Sequence, residues 1–274
     1  MIRPHLNPLP QGEEAGLAAG EGFARLFVSL DVYYDVDSRS AAMNMAVDEA
    51  LLENARLPTI RFYRWDHPAL SFGYFGRYAD VSEHKRDLIR RWTGGGIVFH
   101  GEDLTYSIVI PASDPAFCES SKSLYEKVHC ALCEALIAIG QGAELAEKPT
   151  FNSERFREQA VQPASARDGL RRGERSTSNA QLSRKSDACF ANPVHADVLL
   201  DGRKIAGAAQ RRTTRGLLHQ GSIQNTAAGN DLAERFAQAL SKKIERREID
   251  GEIVRRAQEI AAQKYGTEAW LQKR

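Results

Sequence analysis

The stretch Arg90-Arg91-Trp92-Thr93-Gly94-Gly95-Gly96-Ile97-Val98-Phe99-His100 constrains this chain more than any other. Three contiguous glycines have no side chains to pack, so they interrupt any regular element they enter. What they offer is close approach of backbone N–H groups to a carbonyl or an anion. Asp87 to Trp92 and Ile97 to His100 read as strands, which would hold the loop rigidly between them. The loop is then expected to form one wall of a site, with Cys189 and Lys204 on the other. No Gly-Lys-Ser/Thr follows, so this is not a phosphate-binding P-loop. No helix follows either, which sets it apart from a dinucleotide fingerprint. The competing reading is a tight hairpin whose glycines only satisfy backbone geometry.

The segments around the loop alternate between the two periodicities. Thr59 to Trp65, Ala69 to Tyr74 and Leu104 to Ile110 read as strands. Ala41 to Ala55 places Met43, Ala46, Val47, Ala50 and Leu51 at helical spacing. Ser121 to Ile139 is the clearest helix, and Val81 to Arg86 reads as a short one. Asp201-Gly202 between His195–Leu200 and Arg203–Ala208 is a strong hairpin signal. Arg211 to Gly216 turns into a strand over Leu217 to Ile223, and helices follow over Leu232–Lys243 and Glu252–Tyr265. The sum is an α/β (α+β) fold of mixed, largely antiparallel sheets packed with helices.

Residues 1–26 read as a disordered extension and 27–274 as one catalytic domain. Residues 151–187 hold eight Lys/Arg, five Asp/Glu and few large apolar side chains. They cannot bury enough surface to offset the entropy of ordering, so a flexible insert or lid is expected. A net charge of +1 carries no global signal for nucleic acid or membrane. No apolar run approaches the ~20 residues that span a bilayer. Four cysteines are too few for a disulfide scaffold, and a cytoplasmic setting is expected.

Cys118, Cys130 and Cys133 read as small buried hydrophobes. Cys130 and Cys133 have metal-pair spacing, but no second pair exists to complete a zinc site, so no metal is expected. Cys189 differs, because it sits where the polar insert re-enters apolar sequence, ahead of the hairpin presenting Lys204. A nearby ammonium would lower its thiol pKa and make it a nucleophile. Small residues follow Lys204 in Ile205-Ala206-Gly207-Ala208-Ala209, so other groups can approach that strand closely. His100 and His219 each have a structural reading as well as a catalytic one. Arg211, Arg212 and Arg215 read as a solvated turn or a docking site for an acidic partner.

Taken together, the chain from about Tyr34 to about Gln224 resembles the biotin/lipoate A/B protein ligase family. The resemblance rests on Met43-Asn44-Met45-Ala46-Val47-Asp48-Glu49-Ala50-Leu51-Leu52, Leu70-Ser71-Phe72-Gly73 and the Arg-Arg-x-Thr-Gly-Gly-Gly loop with His100. Gly202 to Gln210 and His219-Gln220-Gly221-Ser222-Ile223 complete it, in the family's order. It implies a single lipoate-ligase-like catalytic domain. The spacing from Cys189-Phe190 through Pro193 to Gly202-Arg203-Lys204 is similar to a cysteine-dependent octanoyltransferase branch, as is Leu104-Thr105-Tyr106-Ser107. Gly96 is similar to the ligase form of the loop.

The transferase resemblance implies catalytic Cys189 and Lys204, octanoyl-acyl carrier protein as donor, and no cofactor. The acceptor would be a lysine on lipoyl domains of 2-oxo acid dehydrogenase complexes or on glycine cleavage H protein. Arg91, Gly94, Gly95, Gly96, Ile97, Val98, Phe99 and His100 would bind substrate. Phe72, Val98 and Leu104 are expected to line the acyl channel. The ligase alternative would use ATP and Mg²⁺, with Arg91, the Gly96–Phe99 segment and Lys204 around a lipoyl-adenylate and Cys189 incidental. A non-enzymatic acyl-binding protein is the third reading.

Overall fold

The computed structural model describes residues 25–35, 37–147, 193–225 and 230–273. The expected extension up to residue 24, the insert at 151–187 and Cys189 lie outside the described residues. The strands are β1 (Leu30–Tyr34), β2 (Thr59–Tyr63), β3 (Ala69–Phe72), β4 (Asp87–Arg90), β5 (Val98–Phe99) and β6 (Leu104–Pro111). After them come β7 (Ala143–Leu145), β8 (Val198–Leu200), β9 (Arg203–Arg212), β10 (Gly216–Ile223) and β11 (Ile244–Arg247). Eight form one sheet in the order β11-β1-β2-β6-β10-β9-β8-β7, and three form a second in the order β4-β3-β5. β1 pairs parallel with β2 and β11, and β3 with β4; the other pairings are antiparallel. The fold is thus mixed α/β and largely antiparallel.

The large sheet buries both faces. Alternation along β10 sends Leu217 and Ile223 to one cluster and Leu218 to the other. The first cluster packs under α2 (Ser121–Ala138) and α3 (Asn230–Leu240). The second packs under α1 (Ala41–Asn54) and α4 (Gly251–Ile260). Side-chain oxygens of Ser40, Ser120 and Asp250 accept from backbone N–H groups in the first turns of α1, α2 and α4. A π-helical turn, Ala261–Tyr265, carries α4 on to α5 (Glu268–Leu271).

The two arginines of the central motif divide the work. Arg90 is fully buried and donates to the carbonyls of Trp270, Leu271, Tyr74 and Gly76, while Trp270 Nε1 donates back to the Arg90 carbonyl at 2.9 Å. It fastens the C-terminal helix to the small sheet. Arg91 turns into the glycine loop.

Three local expectations change. The glycine loop is no tight hairpin, because β3 lies between β4 and β5 and the loop crosses the end of that middle strand. Val81–Arg86 is not a helix. A single 3₁₀ turn occupies Tyr78–Asp80, and Val81 is the one apolar residue of the expected segment, too little to form a stripe. β9 runs on to Arg212, because β10 supplies a partner as far as the Leu217–Arg212 pair.

Candidate functional site

The glycine loop is seated by backbone contact. Gly73, at the end of the Leu70-Ser71-Phe72-Gly73 motif, lies so close beneath it that a Cβ there would stand 2.1 Å from the Gly95 carbonyl oxygen. Gly95 itself has φ +86°, a left-handed value that favours glycine. Arg91 braces the loop, since its Nη2 donates to the carbonyls of Gly94 at 3.0 Å and Gly96 at 2.8 Å. Its Nη1 donates to Ser71 Oγ at 2.6 Å. Thr93 donates to Gln220 Oε1 at 2.8 Å, and Gln220 Nε2 donates to Asp48 at 2.7 Å, tying the loop to α1. Among the described residues the N–H groups of Gly94, Gly95 and Gly96 have no protein acceptor. The Gly94 and Gly96 carbonyls are held, and among the described residues the loop's donors remain available.

A cavity opens between this loop and the middle of the large sheet. Met45 of α1 lines it, with Tyr63 and Trp65, Ser71, Arg91, Gly95, Val98, His100 and Thr105. Gly207-Ala208-Ala209 of β9 and Gln220-Gly221-Ser222 of β10 complete the wall. The run of small residues after Lys204 therefore does admit close approach, and a Cβ on Gly95 would meet that of Ala209 at 3.4 Å.

Alternation sorts the motif residues. Val98 and His100 face the cavity, while Phe99 is exposed and packs against the His84 ring. Gly96 and Ile97 line a neighbouring groove with Phe72, and Leu104 belongs to the core cluster beneath α2. Of the three residues expected to line an acyl channel, Val98 alone reaches this cavity. Gln220 and Ser222 face it as well, whereas His219 points to the other side of the sheet and stacks on Tyr106.

His100 is buried and sits in a chain of polar groups. Its Nε2 lies 2.6 Å from Ser71 Oγ and its Nδ1 2.8 Å from Asp103 Oδ2. The same Asp103 oxygen accepts from Thr105 and from Ser222, and Oδ1 accepts from the Gly101 N–H. Burial lowers the His100 pKa from the ordinary imidazole value, against the pull of Asp103. Burial opposes ionisation of Asp103 too, yet the hydrogen bonds from His100, Ser222 and Gly101 hold its carboxyl below the usual range. Sequence reasoning singled out His100 and missed Ser71 and Asp103. The signal available was Asp103 three residues beyond the histidine.

Lys204 is not a solvated strand-end lysine. Its side chain is 3% exposed and its Nζ pairs with Asp197 Oδ2 at 2.7 Å. Asp197 also accepts from the Tyr125 hydroxyl at 2.5 Å and from the Val194 N–H at 2.6 Å. Burial and then the Asp197 charge push the Tyr125 phenol up, so it stays a donor. The lysine lies across Gly207, where a Cβ would stand 2.6 Å from its Cε and 2.8 Å from its Nζ. Gly207 pairs with Ser222, and cross-strand partners share a face. The ammonium therefore reaches the face of the sheet that carries the cavity. Asp197 is a third residue the sequence reading missed; a buried ammonium demands a carboxylate, but nothing in the spacing names which one.

Of the cysteines read as buried hydrophobes, Cys133 is buried, Cys130 is half-buried and Cys118 is exposed. Burial, with help from Cys130 and Glu144, pushes Cys133 up to about 12, and burial raises Cys130 as well.

A glycine loop braced from behind thus faces a cavity floored by small residues, and the buried Lys204–Asp197 pair lies against Gly207 of that floor. The family model "Lipoyl protein ligase A/B catalytic domain" matches residues 40–265. The chain belongs to that family. An octanoyltransferase LipM from Brevibacillus brevis is 31% identical over 80% of this chain and 74% of its own length. An octanoyltransferase LipM from Bacillus cereus is 33% identical over 70% of this chain, and the match spans 64% of that protein. The fold is that of a solved lipoate-protein ligase A bound with ATP, at TM-score 0.61 and 19% identity over 90% of this chain and 98% of that one. A solved chain from a structural analysis of an archaeal lipoylation system, a bi-partite lipoate protein ligase and its E2 lipoyl domain from Thermoplasma acidophilum, aligns at TM-score 0.58 and 19% identity over 90% of this chain and 96% of that one.

Proposed function

We propose that this protein is an octanoyltransferase of lipoate biosynthesis and that Cys189 is its nucleophile. The observation that carries the reading is the buried Lys204–Asp197 pair, held on the cavity face by Gly207. Relatives curated as octanoyltransferases over most of the chain support it. The donor is an octanoyl thioester of acyl carrier protein. The Cys189 thiolate attacks the thioester carbonyl, and the donor thiolate departs and takes up a proton. A lysine amine of a lipoyl domain or of glycine cleavage H protein then attacks the acyl-enzyme. The nitrogen gives up a proton to solvent as the amide forms, and the Cys189 thiolate leaves. The relay divides one transfer into two steps.

Lys204 supplies the positive charge that favours the thiolate over the thiol, and Asp197 fixes where that charge sits. The donors of Gly94, Gly95 and Gly96 suit the negative charge that develops on the carbonyl oxygen. Val98 and the Gly207–Ala209 floor accept the acyl chain. No cofactor enters either step, and a reducing cytoplasmic setting keeps the thiol available.

The test is transfer to a lipoyl domain with and without ATP, in wild type and Cys189→Ser. Transfer from octanoyl-acyl carrier protein without ATP, abolished in Cys189→Ser, is the expected result. ATP-dependent lipoylation that survives in Cys189→Ser would establish the ligase instead. Binding of octanoate with no transfer in either assay would leave a non-enzymatic acyl binder.

A further inference from the structure

The side chains behind the cavity wall form one hydrogen-bonded chain, and its donor directions leave a single proton arrangement. Arg91 has no acceptor capacity and donates to Ser71 Oγ. The acceptor within reach of the Ser71 proton is His100 Nε2 at 2.6 Å, provided the ring carries its proton on Nδ1. From the other end, Trp65 Nε1 donates to Thr105 Oγ1 at 2.8 Å, and Thr105 donates to Asp103. Asp103 accepts everything around it, which puts the His100 proton on Nδ1. His100 Nε2 is thereby a lone pair reserved for Ser71. Among the described residues the Ser71 hydroxyl has no second acceptor.

We propose that His100 is a positioning residue: in its neutral form it orders the Ser71 hydroxyl, Ser71 seats the Arg91 guanidinium, and Arg91 holds the carbonyls of Gly94 and Gly96. Protonation at Nε2 reverses the first link. It makes Nε2 a second donor to the hydroxyl oxygen, in competition with Arg91, and the Ser71 proton loses its acceptor. A second positive charge also arrives beside the guanidinium. The brace on the glycine loop weakens, and the loop's available donors lose their fixed direction.

The surroundings keep His100 neutral under ordinary conditions. Asp103 faces Nδ1 and favours a proton. Arg91 lies across Ser71, and Arg86 donates to the His100 carbonyl at 2.6 Å; both disfavour one. The Trp65 ring stacks on the imidazole at 4.0 Å between centroids and excludes water from that face. Burial together with the two guanidiniums outweighs the carboxylate. The inference rests on the acyl-site reading only for what loop release does to turnover; the coupling itself belongs to the folded chain.

The experiment is a pH titration by NMR of wild type and Cys189→Ser, following the His100 imidazole and the Gly94–Gly96 amides. The expected result is that the three glycine amides shift with the same midpoint as His100. His100→Gln keeps an acceptor and removes the titrating group, and in it the glycine shifts disappear while the chain stays folded. In Arg91→Lys, with no bidentate fork, His100 titrates and the glycines stay still. In turnover, one pH unit below that midpoint kcat/KM of wild type has fallen about tenfold further than that of His100→Gln, in which only the Cys189 thiolate dependence is left. Glycine amides that stay flat through the His100 titration, or that titrate unchanged in His100→Gln, would overturn the inference. So would a His100 that remains neutral until acid unfolding.

Discussion

At Gly73 an added Cβ would stand 2.1 Å from the carbonyl oxygen of Gly95 and 2.6 Å from the carbonyl carbon of Gly94, both backbone atoms that cannot swing aside. At Gly207 the atoms in the way are the far end of the Lys204 side chain, which can. The two alanine variants should therefore fail differently. Gly207→Ala moves the ammonium off its seat and lowers kcat/KM roughly 10²-fold, the scale of an ångström-level misplacement, with thermal stability nearly unchanged. Gly73→Ala shifts the loop backbone and lowers the melting temperature as well as activity. Equal loss of stability in both would contradict this account of the two positions. Residue identity in these motifs was legible in the sequence: glycines, lysine and histidine were marked as site candidates. Their partners were not. Ser71, Asp103 and Asp197 are fixed by which side chains approach across strands, and no periodicity encodes that. Arg91 was legible as a site residue, but the carbonyls it braces come from a loop conformation invisible before folding.

Among the elements, α1 shows why a helix in this family motif carries an acid. Asp48 is fully buried and accepts from Arg61 at 2.8 Å, Ser107 at 2.7 Å, Gln220 at 2.7 Å and Tyr63 at 3.1 Å. It joins α1 to β2, β6 and β10, and through Gln220 to Thr93 at the head of the glycine loop. Removing one partner of a buried ion pair costs about 3–5 kcal/mol, because the other charge is left unpaired. Asp48→Ala is expected to lose that much unfolding free energy in a denaturant titration; a loss below about 1 kcal/mol would show that Arg61 finds full compensation from Asp35. Helical spacing revealed α1 but misjudged its buried face, since Met43 is only partly buried while Asn44, Met45 and Asp48 are buried beside Ala46, Val47, Ala50 and Leu51. β7 (Ala-Glu-Leu) escaped notice because it is three residues long, and β11 because it is short and polar. β11 (Ile-Glu-Arg-Arg) is an edge strand with one partner, so only one side of it needs to match.

Across the whole molecule, buried neutral histidines set the response to acid. His129 Nδ1 donates to the Ala196 carbonyl at 2.6 Å, and its Nε2 has no partner among the described residues. Burial lowers its pKa to about 4. In the unfolded chain an imidazole titrates near ~6.5. Between those values the unfolded state takes a proton that the folded state refuses. Stability present above the unfolded value is lost as pH falls towards the folded one, up to about 3 kcal/mol from this residue. His219, lowered by burial and then by His129, adds the same sign. Urea denaturation should give a lower unfolding free energy in mild acid than at neutral pH, with a shallower dependence in His129→Phe; a flat or rising stability would contradict this. The alternation of strand and helix made the mixed, largely antiparallel class legible, whereas the separation into two sheets was not, because β3 intervenes between strands adjacent in sequence. The central claim is a thioester on Cys189. Its most direct measurement is mass spectrometry of the protein mixed with octanoyl-acyl carrier protein in the absence of ATP. An octanoyl adduct on the Cys189 peptide, released by a lipoyl domain and absent in Cys189→Ser, is the expected result. An unmodified Cys189 in a preparation that transfers octanoate would contradict it.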